Sequence, residues 1–105
     1  MERKSAKAKG RRFEKEIASL FINKGVECRT VPSSCNGEDI IFDEPQPFSC
    51  EIKCQEKLNI WSALEQAAKN AKDKQPILFF KRNRSKTYAV VNAEWLLELI
   101  FKENK

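Results

Sequence analysis

Asp39, Glu51 and Lys53 are the residues of this 105-residue chain whose types and spacing can do chemistry. The stretch reads Glu38-Asp39-Ile40-Ile41-Phe42, a Pro-containing turn, then Phe48-Ser49-Cys50-Glu51-Ile52-Lys53-Cys54. In a strand, alternate side chains share a face. Cys50, Ile52 and Cys54 therefore point one way, and Glu51, Lys53 and Gln55 the other. One face is apolar and suits a core; the other sets a carboxylate beside an ammonium. If 38–43 and 48–54 pair as a hairpin, Asp39 comes close to Glu51. Two carboxylates at one point repel each other unless a cation sits between them. Hard oxygen ligands suit Mg²⁺ or Mn²⁺. The expected chemistry is that of a Mg²⁺ site beside a lysine. Taken alone, Glu-x-Lys also describes an ordinary amphipathic strand with a surface ion pair, so the surrounding chain decides.

That chain has the size of one domain with a modest core. Its formal net charge is +5, and 41% of its residues are hydrophobic. A basic balance points to a polyanionic partner, nucleic acid first. No apolar run is long enough for a membrane helix, and the basic N-terminus is followed by no apolar signal core. A cytoplasmic setting, with no membrane partner, is the expectation. Cys28, Cys35, Cys50 and Cys54 then read as reduced thiols. Their spacing lacks the close pairs of a zinc site, and the chain has no histidine.

The elements that position the trio follow from periodicity. Residues 1–10 read as a basic flexible arm and 11–105 as one domain. Phe13, Ile17, Leu20 and Phe21 recur at helical spacing over 11–24, and Gly25 stops that helix. Arg11, Arg12 and Lys15 would crowd the positive end of its dipole, a repulsion that a bound phosphate relieves. Val26–Val31 reads as a strand, and Pro32-Ser33-Ser34-Cys35-Asn36-Gly37 as a polar loop. The two central strands precede a helix over 60–74 with a stripe of Trp61, Leu64, Ala68 and Ala71; Gln66, Lys69 and Asn70 lie on another face, and Pro76 limits it. Ile77-Leu78-Phe79-Phe80 is a strand buried on both faces. Lys81–Lys86 is a basic hairpin loop, and 87–91 is the last strand. Asn92 caps a final helix over 93–102. Tyr88 and the phenylalanines read as core. The order αβββαββα describes an α/β fold, a five-strand mixed sheet flanked by helices.

With these motifs in this order, the chain resembles the PD-(D/E)xK nuclease superfamily and, within it, the archaeal-type Holliday junction resolvases. The matched points are Arg12-Phe13-Glu14 in the first helix, Glu38-Asp39-Ile40 in place of the Pro-Asp step, Glu51-Ile52-Lys53 as the (D/E)-x-K element, and Gln66 in the following helix. They span about residues 9–91, and the missing proline is the main departure. The resemblance implies a restriction-endonuclease-like core and Mg²⁺- or Mn²⁺-dependent hydrolysis of DNA to a 5′-phosphate product. It implies that Asp39 and Glu51 ligate the metal, with the Ile52 carbonyl a further oxygen. Lys53 would orient or deprotonate water or hold the phosphate. Glu14 would complete the acidic cluster, and Gln66 would face the site. No small-molecule cofactor is implied.

For DNA contacts, Lys9, Arg11, Arg12, Ser34, Lys69, Arg82, Arg84 and Lys86 are the candidates, with Ser33 beside Ser34. Branched DNA and a homodimer are the expected partners. The dimer follows from the last helix, where Trp95 and Leu99 add an apolar side to the Leu96, Leu97, Ile100 and Phe101 stripe. A basic nucleic-acid-binding module without catalysis and a zinc-stabilised interaction domain remain the alternatives.

Overall fold

The computed structural model describes residues 2–31 and 39–102. Three helices and two sheets follow one another as α1 (Glu2–Asn23), β1 (Cys28–Thr30), β2 (Ile40–Phe42), β3 (Phe48–Cys54), α2 (Ile60–Ala71), β4 (Gln75–Lys81), β5 (Tyr88–Val90) and α3 (Ala93–Phe101). The architecture is mixed α/β, and the expected order of elements is observed. The single five-strand sheet is not. β1 pairs antiparallel with β2, while β3, β4 and β5 form a separate three-stranded sheet with β4 in the middle.

The reason lies at Asp39. One backbone hydrogen bond joins the sheets there, from Asp39 N–H to the Cys50 carbonyl at 3.1 Å. The next donor along β3, the Ile52 N–H, goes to the Asp39 side chain instead, at 2.6 Å. A carboxylate thus takes the place of a ladder carbonyl, and the expected hairpin between 38–43 and 48–54 reduces to a single bridge.

β3 and β4 run parallel, with Glu51 opposite Leu78 and Lys53 opposite Phe80. Parallel neighbours need a crossover connection, and α2 supplies it. Helices cover both faces of β3 in consequence. On the even-numbered face, Cys50 and Ile52 bury against Phe13, Ile17 and Ala18 of α1 and Ile40 of β2. Phe21 ties the two sheets together on that side, with its ring 5.0 Å from Phe42, 5.7 Å from Phe48 and 6.1 Å from Phe79. On the odd-numbered face lies α2, whose buried residues are Ala63, Ala67 and Ala71. This alanine row keeps only Ala71 of the expected stripe. Trp61 is 79% exposed, and small side chains let the helix settle close over Ser49, Glu51 and Leu78, which are all buried.

Several boundaries move for local reasons. The segment expected as an arm, 1–10, is helical from Glu2 onward. Its Ala- and Lys-rich composition favours helix, and Gly10 inside it costs only about 1 kcal/mol. Arg11 and Arg12 accordingly sit within α1 and not at its dipole end. Gly25 does end the helix region, at φ +88, a conformation glycine takes without strain. Leu20 of the predicted stripe is exposed. Pro76 lies inside β4 and does not limit α2, which already ends at Ala71; β5 pairs only with Leu78–Phe80, so the missing N–H of Pro76 breaks no β4–β5 bond. In the 77–80 run only Ile77 and Leu78 are buried. Asn92 caps α3 as expected, accepting from Trp95 N–H, but α3 contributes no buried residue. No helix among the described residues is long and apolar enough to cross a membrane.

Candidate active site

β3 sets Glu51 and Lys53 on its α2 face two residues apart, because side chains alternate along a strand. Glu51 is 4% exposed. A carboxylate is rarely buried without partners, and among the described residues Glu51 has two. Its Oε2 lies 3.5 Å from Lys53 Nζ, and its Oε1 accepts from Asn70 Nδ2 at 3.2 Å. Asn70 is one residue from the buried end of the alanine row, so the close seating of α2 delivers this amide to the carboxylate. Lys53 keeps 22% of its side chain in solvent. The ion pair therefore has a covered acidic end and an open basic end, suited to a group arriving from outside.

Asp39 closes the site from the edge of the sheet. The hydrogen bond from Ile52 N–H fixes its carboxylate beside the Glu51–Lys53 segment. Residue N–H and C=O groups leave an extended strand on the same side, so the Ile52 carbonyl faces that edge as well. Burial is the largest influence on Asp39 and raises its pKa to about 6, with the charges of Glu51 and Glu14 adding to the rise; the Ile52 N–H and Lys53 oppose it. Glu14, half-buried on α1, has its own pKa raised by burial and partly lowered by Arg11. The charges of Glu14, Glu51 and Lys53, all expected site residues, thus converge on Asp39.

No group of three or more His, Cys, Asp or Glu that could hold an ion is formed among the described residues. Glu14 therefore does not complete a three-carboxylate cage; it contributes charge at Asp39. Two carboxylates and a carbonyl nevertheless fit Mg²⁺, which ordinarily keeps several waters and takes one or two protein carboxylates together with substrate phosphate. A pair of acidic groups that hold a carboxyl's pKa high is also what a cation relieves.

Gln66 is exposed and is not the residue of α2 that reaches the site. Asn70, one turn later, takes that place. Glu38, Ser33 and Ser34 lie outside the described residues. The DNA-contact candidates divide. Lys9 and Arg12 of α1 meet Arg84 of the β4–β5 loop around a small pocket of about 120 Å³, which Lys81 and its ion-pair partner Glu16 also line. Lys9 Nζ donates to Asn83 Oδ1 at 3.1 Å, fixing helix to loop. Arg82 lines a different pocket on the other side of that loop. Arg11, Lys69 and Lys86 are exposed. Two sequence-distant basic segments therefore form one positive surface. Asn70 and this convergence were beyond sequence reasoning; the polar face Gln66-Lys69-Asn70 was the signal for the first.

Comparison with family models, curated proteins and solved structures returns no match.

Proposed function

We propose that the chain is a metal-dependent DNA endonuclease, specific for branched DNA in the manner of the Holliday junction resolvases that its motifs resemble. The observation that carries this reading is the buried Glu51, paired with Lys53 and capped by Asn70, beside an Asp39 carboxylate locked onto the same strand. Asp39, Glu51 and the Ile52 carbonyl would hold Mg²⁺ or Mn²⁺, which would lower the pKa of water and offset charge on the phosphoryl oxygens. Lys53 holds the scissile phosphate and orients the attacking water with its open end. Asn70 holds the Glu51 carboxylate in place. Water adds to phosphorus, the bond to O3′ breaks, and the leaving oxygen takes a proton, giving a 5′-phosphate and a 3′-hydroxyl. Glu14 tunes the charge at Asp39. The α1–loop surface of Lys9, Arg12 and Arg84 positions the backbone of the DNA. A cytoplasmic setting with reduced thiols suits this chemistry.

The test is cleavage of linear, flapped and four-way DNA in Mg²⁺ and in EDTA. The expected result is metal-dependent nicking, strongest on branched substrates. Folded protein that binds all three and cuts none would leave a basic binding module and remove the enzyme.

The working unit in this reading is a two-fold dimer through α3. Leu96, Leu97, Leu99, Ile100 and Phe101 are 40–54% exposed, so the expected core stripe of that helix faces outward. Five such side chains from two copies offer on the order of 1,000 Å², the entry size of a specific interface. Antiparallel pairing would set Glu94 of one copy against Lys102 of the other, a self-complementary match. Sedimentation equilibrium should give twice the chain mass, and a single-chain mass at micromolar concentration would remove the dimer.

A further inference from the structure

Beside the candidate site, on the same face of the sheet, lies an open pocket of about 370 Å³. We infer that this pocket receives one unpaired nucleobase next to the phosphate held at Lys53. The inference rests on the nuclease reading for its position, but not for its chemistry.

The position follows from register. Lys53 pairs with Phe80, and Phe80 pairs with Tyr88. Directly paired residues share a face of the sheet, so Lys53, Phe80 and Tyr88 form one row across three strands. Tyr88 is two strand spacings from Lys53, roughly 10 Å, a span that one or two nucleotides cover. α2 shields Glu51 and Leu78 but leaves this end of the row open. Phe80 is half-buried and Tyr88 is 57% exposed, against the expectation that both are core. Their rings lie 6.2 Å apart and tilt by 35°. An exposed aromatic pair, with no third ring packed on Tyr88 among the described residues, is a stacking platform.

The walls of the pocket choose among ligands. Leu58 and Ile60 continue the apolar floor, while Gln55, Glu56, Lys81, Arg82 and Ser85 form its polar side. The Glu56 carboxylate is fixed by the Asn83 N–H at 2.6 Å. A fixed carboxylate repels a bare phosphate but accepts hydrogen bonds from a base edge. Aromatic floor, fixed acceptor, amide and a flanking arginine together describe a base site with a backbone contact. The volume suits a single planar ligand and not a stacked duplex. DNA with an unpaired nucleotide beside the cut, as at a flap or an open junction, is the substrate class that fills it.

The test is binding in EDTA, where cleavage plays no part. Fluorescence anisotropy compares a short single-stranded oligonucleotide with a hairpin duplex. Tyr88→Ala should weaken single-strand binding about 5- to 150-fold, the loss of one stacked base, and leave duplex binding within about twofold. Tyr88→Phe should retain wild-type affinity, whereas Tyr88→Leu, which keeps apolar bulk without a ring, should lose it like alanine. A 2-aminopurine placed unpaired beside a duplex end should be quenched by the wild type and by Tyr88→Phe only. Equal losses on both DNAs, or no loss with either variant, would overturn the pocket and leave Mg²⁺-dependent cleavage untouched. Tyr88-dependent binding with no cleavage in Mg²⁺ would keep the pocket and remove the nuclease.

Discussion

On the α1 side of β3, Cys50 and Ile52 sit among Phe13, Ile17, Ala18 and Ile40, all nearly free of solvent. On the α2 side, one residue away in each direction, Ser49 and Glu51 are just as buried, yet they are polar and covered by alanines. The first face is closed by large apolar side chains that interlock. The second is closed by a helix that sits near enough for Asn70 to reach Glu51 and then stops short of Lys53. Burial therefore serves two ends in one strand. It supplies apolar area on one side, and on the other it removes water around a carboxylate whose partners are fixed.

The comparison breaks most sharply at Phe13. Its ring is 2% exposed and lies under Lys81 Nζ at 5.6 Å. Phe13→Ala should cost about 3–5 kcal/mol of stability, a large share of the total for a domain of this size. Urea unfolding should show it as a lowered midpoint, while the protein that remains folded should keep its turnover. Loss of turnover in the folded fraction would mean that the two faces are not separable.

A smaller effect sharpens the α2 side. Asn70→Ala removes one donor from a buried carboxylate, worth about 1–1.5 kcal/mol or roughly tenfold in rate. Gln66→Ala, one turn away and exposed, should change cleavage less than twofold. Equal effects in single-turnover assays would place the site toward Gln66, as the sequence alone suggests.

That last contrast shows where sequence reading stops. The order of the elements, the strand limits Phe48–Cys54 and the Asn92 cap were legible because they depend on alternation and local capping. The Asp39, Glu51 and Lys53 set was legible for the same reason, since alternation alone puts 51 and 53 on one face. The α2 register was not. Trp61 and Leu64 outrank alanines in hydrophobicity, but the tight approach over a parallel pair selects Ala63, Ala67 and Ala71, and with them Asn70 over Gln66. The split of the sheet was also hidden, because it depends on a side-chain oxygen of Asp39 taking a backbone donor. The exposure of α3 and of Tyr88 reverses a rule of thumb on apolar residues, which holds only where something covers them.

The smallest effect is in pH. Burial and the neighbouring carboxylates raise Asp39 from 3.8 to about 6 in the folded chain. The folded state thus holds this proton more tightly than the unfolded one. Without metal, that contribution is full below about 4 and is lost as pH rises through about 6, so thermal stability should fall across this window. Asp39→Asn should flatten the fall. Added Mg²⁺ should shift it to lower pH, since the cation favours the ionised form. An unchanged slope in the variant would mean that Asp39 is not the titrating group.

The claim that the α2 face of β3 cuts DNA is tested most directly by single-turnover cleavage of an end-labelled four-way junction in Mg²⁺, comparing the wild type with Glu51→Gln. The substitution keeps the shape of the side chain and removes its charge. We expect the wild type to nick the junction to 5′-phosphate ends and the variant to lose about a thousandfold or more in rate, with the junction still bound. Wild-type rates from folded Glu51→Gln would contradict the account.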